Sequence, residues 1–249
     1  MGGLLLLLSL SLGNAAEHPR ARHALEIFQR LLAVSGSPRQ VGFVVMGDWK
    51  DPQAIDYLDS SYGPDVRLRV GVGFLEAFGG DDKVLMATFA HETGHVVQDS
   101  EEGALDKLQE KHGSKRIEAE ADLIGARLAR KAGWSSADYL AGREKKFGCA
   151  LIRSKADQHV ESHPANQDKW ANIMLYQDYE NITIETFDEN GVLRPSRLIG
   201  PPDQALDYFI EAAGARASLA DFCGNPAAYD PMILGVRNRL ARAKAGLPW

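Results

Sequence analysis

The chain has 249 residues, 45% of them apolar and 25% charged, the balance of a globular protein large enough to bury a core. Its formal net charge of −6 lacks the basic footprint of a nucleic-acid or anionic-membrane binder, so no nucleic-acid partner is expected. No apolar run approaches the roughly 18 residues of a membrane-spanning helix. A transmembrane span is therefore not expected, and peripheral membrane contact stays open.

Residues 1–12 read MGGLLLLLSLSL, and Gly13-Asn14-Ala15-Ala16 follows. The run is too short to span a bilayer but has the apolar stretch and small-residue site of a secretory signal peptide, although no Lys or Arg precedes Arg20. Residues 1–16 are thus expected to direct export, to a periplasm or to the medium. Left uncleaved, the segment would attach the chain to a membrane. Two cysteines, Cys149 and Cys223, can pair in an oxidising compartment or remain two separate buried thiols.

Within residues 20–34, Leu25, Phe28, Leu31 and Leu32 recur at helical spacing, and Ser35-Gly36-Ser37-Pro38 ends that helix. Residues 41–46 are a short apolar run that reads as a buried strand. Residues 51–62 are polar with a weak helical period, and Gly63-Pro64 marks a turn. Val66, Leu68, Val70 and Val72 then alternate with Arg67, Arg69 and Gly71, the period of a half-buried strand, here expected at a sheet edge.

Gly79-Gly80-Asp81-Asp82 is a loop in which either Asp can cap the helix predicted over 83–98. Further helices are expected over 114–132, closed by Gly133, and over 136–147 and 165–179. Residues 181–197 suggest a hairpin, with Ile182-Thr183-Ile184 as one arm and Glu189-Asn190-Gly191 as its turn. Two more helices are expected over 201–213 and from 230 towards 245. The simplest organisation is one domain over 17–180 with a C-terminal helical extension, 181–249, packed on it.

The chemistry concentrates in His91-Glu92-Thr93-Gly94-His95, an H-E-x-x-H pattern inside a predicted helix. Residues i and i+4 share a helix face, so both imidazoles can reach one ion. Glu92 sits about 100° further round the helix, where it can contact a water without ligating. A zinc site needs a third protein ligand and an open position. Glu118 can supply that ligand, and Asp122, one turn on, can accept a proton from the non-ligating nitrogen of a histidine. The bland alternative for Glu118 and Asp122 is a solvated acidic helix start.

The pattern resembles the zinc metallopeptidases of the CAAX prenyl protease and HtpX type. Four pieces carry the likeness, in that family's order, over residues 66–179. They are a strand running into Gly73-Phe74-Leu75, the HExxH segment, Glu118-Ala119-Glu120-Ala121-Asp122 with Leu123-Ile124-Gly125 after it, and Ser162-His163-Pro164. The resemblance implies a mainly helical α+β, zincin-like domain whose small sheet sets an edge strand, 66–72, beside the HExxH helix. His91, His95 and Glu118 would bind one Zn²⁺ per chain, and Asp122 would hold a zinc-bound histidine. Glu92 would be the general base, and His163 would stabilise the oxyanion or position the substrate. The 66–72 strand, through Val70, Gly71 and Val72, would take up a peptide by strand addition.

The chain departs from the family pattern in several places. It has Gln53-Ala54-Ile55 near the family's Asn-Ala-aromatic segment, and Lys169 where the family has an Arg after the His-Pro histidine. Glu118 follows His95 more closely than in many relatives, which implies a trimmed active-site loop. The expected activity is zinc-dependent endopeptidase hydrolysis of protein or peptide substrates, in turnover or quality control outside the cytoplasm. The alternative is a metal-binding chaperone or interaction module with a latent or lost peptidase site.

Overall fold

A computed structural model describes residues 18–52, 54–59, 66–147, 169, 172–173 and 182–193. The segment 1–16, Cys149, Cys223, His163 and the helices expected after residue 200 lie outside the described residues. Within them the chain is mainly helical with one small mixed sheet, an α+β arrangement. No helix among the described residues is long and apolar enough to cross a membrane.

Helix α1 (Ala21–Ser35) buries Ala24, Ile27, Phe28 and Leu31, and ends where Gly36 turns left-handed at φ 74°. Three strands follow: β1 (Gly42–Met46), β2 (Ile55–Leu58) and β3 (Arg67–Gly71). Their order is β1-β3-β2, with β1 parallel and β2 antiparallel to β3. The alternation at 66–70 is real, since Val66, Leu68 and Val70 are buried while Arg67 is exposed.

Two sequence expectations fail at the sheet. Strand β3 is central rather than an edge, because Val70 pairs with Val45 on one side and Ile55 on the other. Its main chain is therefore occupied and cannot take a peptide at Val70 or Gly71, and Val72 already opens helix α2 (Val72–Phe78). Alternation reports which face of a strand is buried, but not how many neighbours it has. Strand β1 is half-buried along its whole length, not buried, and β2 lies in the stretch whose weak helical period hid it.

The remaining helices are α3 (Asp82–Glu101), α4 (Leu105–His112), α5 (Ser114–Lys131) and α6 (Ser136–Phe147). Helix α4 fills the short connection between the two sequence motifs. Helix α5 ends at Lys131, with Ala132 as its C-cap and Gly133 following at φ 92°. Lys169, Asn172 and Ile173 are helical, inside the stretch predicted at 165–179. Of the hairpin expected over 181–197, residues 182–193 are described. Ile184–Thr186 is a 3₁₀ turn, and one antiparallel bridge, Phe187 to Leu193, closes the predicted Glu189-Asn190-Gly191 turn. Asn172 holds that turn by donating to Gly191 O (2.7 Å) and accepting from Leu193 N (3.2 Å).

Helix α3 is the axis of the fold. Every residue from Val84 to Asp99 is buried, as in a helix surrounded by protein on all sides. Helices α1, α5 and α6 pack on it. Phe89 meets Phe28, Phe43 and Phe74 at ring separations of 6.0, 6.0 and 6.2 Å. The approach of α5 is very close. A Cβ on Gly94 would lie 2.5 Å from Ala121 O, and one on Gly125 would lie 2.9 Å from Ala90 O. Glycine at both crossings lets α5 bring its acidic residues within reach of the α3 histidines.

Asp81 is the residue that caps α3. Its carboxylate accepts from the Lys83 and Val84 amides and pairs with Lys145. Burial alone would raise the Asp81 carboxyl, but Lys145 and the two amides outweigh it and hold the pKa below its ordinary value. A depressed carboxyl stabilises the fold above its unfolded pKa, and the contribution fades as pH falls through the folded value. Asp81→Ala should therefore cost about 1 kcal/mol near neutrality. In urea melts, the gap to the parent should close as the pH is lowered through the carboxylate range. For Gly94→Ala, overpacking at the α3–α5 crossing should cost about 1–3 kcal/mol. It should also weaken any metal binding that needs residues from both helices, as read by thermal melts and metal titration.

Candidate metal centre

His91 and His95 project from one face of α3, with ring centroids 4.8 Å apart. Glu118, on the first turns of α5, faces both. Its Oε2 lies 3.1 Å from His91 Nε2 and its Oε1 lies 3.7 Å from His95 Nε2. One ligand atom from each of the three residues falls within 4.8 Å of the others, and together they can hold a metal ion. The spacing of the sequence motif and the carboxylate predicted to complete it thus converge in space.

The far sides of both imidazoles are occupied. His91 Nδ1 lies 2.9 Å from Asp122 Oδ1, and His95 Nδ1 lies 2.9 Å from Gln98 Oε1. Each is an oxygen acceptor, so each Nδ1 carries the proton and each Nε2 turns its lone pair towards Glu118. Two lone pairs and a carboxylate aimed at one buried point repel one another unless a cation sits among them. That donor set suits a divalent first-row ion. Burial would lower the His95 pKa, but the charge and hydrogen bond of Glu118 raise it to about 9.

Asp122 is the most heavily engaged carboxylate of the site. Besides His91 it receives the Tyr139 hydroxyl (2.9 Å) and pairs with Arg143 Nε (3.2 Å) and Lys169 Nζ (3.4 Å). Burial would raise its pKa. Lys169, Arg143 and His91 overcome that and hold the carboxyl well below its ordinary range. Lys169, a departure from the family pattern in sequence, here supplies positive charge to the same carboxylate that Arg143 binds.

A cavity of about 420 Å³ opens onto these ligands. Glu92 stands on its wall, 8% exposed, one residue along α3 from His91. Strand β2 forms another wall through Ile55, Asp56 and Tyr57, so the edge strand beside the site is β2, not β3. Arg143 and Lys146 add positive charge from α6. Burial first, and then the neighbouring Arg143, lowers the Lys146 pKa to about 8 while Glu92 pulls it upward.

Sequence reasoning missed Gln98, Tyr139, Arg143, Lys146 and the β2 wall. A signal existed for some of them. Gln98 lies three residues after His95, and Tyr139 and Arg143 are i, i+4 partners on one helix face. Nothing local says what those faces meet. His163 lies outside the described residues.

If the three residues form one site, the full chain should bind one divalent ion. Glu118→Ala should weaken it by more than the about 10–100-fold typical of losing an outer hydrogen-bond partner. Metal analysis after gel filtration, with competitive chelator titration, reads both. Comparison with known proteins finds no match to the chain among protein-family models, curated proteins or solved structures.

Proposed function

We propose that the chain is a zinc-dependent endopeptidase that cleaves protein or peptide substrates. The observation that carries this reading is the convergence of His91 Nε2, His95 Nε2 and Glu118 on a cavity whose wall includes Glu92. Two neutral imidazoles and one carboxylate, with an open side, make a donor set that favours zinc and leaves room for substrate. A helix carrying both histidines, a second helix bringing the acid and an edge strand along the cavity also suit a zincin-like domain.

A zinc ion bound there supplies Lewis acidity towards a scissile carbonyl and towards a water molecule. Glu92 then serves as the general base, taking the proton of the attacking water and returning it to the leaving amine. Arg143 and Lys146 place positive charge on the cavity wall, the sign that stabilises a developing oxyanion. His163 is proposed for the same task. Strand β2 is paired on one side by β3, and among the described strands its other side has no partner. A peptide adding along that side makes main-chain hydrogen bonds with little sequence selectivity. The leader-like segment 1–16 supports work outside the cytoplasm, on substrates of protein turnover.

Glu92→Gln separates chemistry from metal binding. The variant should retain zinc at the parent's stoichiometry while cleavage of an unfolded protein substrate falls by about 10²–10⁴-fold. Full turnover by the variant would remove Glu92 from the mechanism. A parent chain that holds zinc and cleaves nothing would favour the metal-binding chaperone or interaction module.

A further inference from the structure

His91 and His95 are held by different chemistry. The partner of His91 is the charged Asp122. The partner of His95 is Gln98, a neutral amide that is 1% exposed. The orientation of that amide is fixed by its other end. Gln98 Nε2 lies 3.0 Å from Ile117 O and 2.7 Å from Glu120 Oε2, both on α5. An amide nitrogen has two hydrogens, and these two acceptors use both. Flipping the amide would set its oxygen against the Ile117 carbonyl, which can only accept, so Oε1 faces His95.

The geometry points to Gln98 as a positioning residue that fixes which nitrogen of His95 meets the metal. This inference rests on the metal site of the proposed function. The chain of contacts runs from Glu120 and Ile117 through Gln98 to His95 Nδ1, and so leaves Nε2 facing Glu118. Every link is buried; the His95–Gln98 contact lies within α3 and the Gln98 contacts to Ile117 and Glu120 cross to α5, so the helix that carries Glu118 also orients the second histidine. His91 and His95 therefore become ligands through separate supports, and loss of Gln98 should disturb His95 alone.

The test uses the full chain, ¹⁵N-labelled at histidine and loaded with zinc. In the parent, His95 should coordinate through Nε2 and show an Nδ1–H proton that exchanges slowly with solvent. Gln98→Met keeps the chain length and removes both the acceptor and the donors. It should weaken zinc by about 10–100-fold. The His95 Nδ1–H signal should broaden or exchange quickly, while the His91 signal stays in place. A purely structural Gln98 would lower the melting temperature without moving the His95 signature.

Coordination of His95 through Nδ1 in the parent, or free exchange of its Nδ1–H, would overturn the inference without any variant having to fold. So would unchanged zinc affinity and an unchanged His95 signal in Gln98→Met, and in both cases the metal reading would stand. A parent that binds no zinc would remove the metal reading and the Gln98 inference together.

Discussion

The carboxylate of Asp122 is the point on which the site is built. It lies on α5, fully inside the protein, where an unpaired charge would cost several kcal/mol. Four groups answer it: His91 from α3, Tyr139 and Arg143 from α6, and Lys169 from further along the chain. That one side chain therefore ties the helix carrying the metal-facing residues to the two segments around it. Breaking a buried pair of this kind typically costs about 3–5 kcal/mol, because the remaining charges lose their partner. The same contact sets the tautomer of His91, so one interaction holds the helices and orients a metal-facing histidine.

Close packing makes that contact feasible. A helix with His, Glu, Thr, Gln and Asp buried along its length has to supply each polar group with a partner. Helix α3 can do so because Gly94 and Gly125 let α5 approach backbone to backbone. Glu118, Glu120 and Asp122 then reach across the crossing to His91, His95 and Gln98. Even local hydrogen bonds serve this end: Thr93 Oγ1 donates back to Phe89 O at 2.7 Å and needs nothing from its neighbours. Glu120 shows the cost of the arrangement. Burial first, and the nearby Glu102, push its pKa up to about 8, against the donation from Gln98.

The cavity is asymmetric in charge. Glu92, Glu118 and Asp56 give one sign and Arg143 and Lys146 the other, with Ile55 and Tyr57 also on the wall. In the proposed endopeptidase, Arg143 and Lys146 would face the developing oxyanion and Glu92 would move the proton. The β2 edge adds a main-chain surface at the same place.

Much of the local structure was legible in the sequence, since it depends on neighbours in the chain. Helical spacing defined α1, α3, α5 and α6 to within three residues at each end, with Asp81, Gly36 and Gly133 marking ends. The i, i+4 histidines and Glu118 with Asp122 were legible for the same reason: one helix turn fixes which residues share a face. Only the tertiary structure decided what those faces meet. It made β3 central and β2 the edge, since the number of neighbours a strand has depends on distant segments and leaves no mark in its own alternation. It also gathered Gln98, Tyr139, Arg143 and Lys169 around the two histidines. Their side chains acquire a role only when three helices pack closely enough for buried charges and amides to need one another.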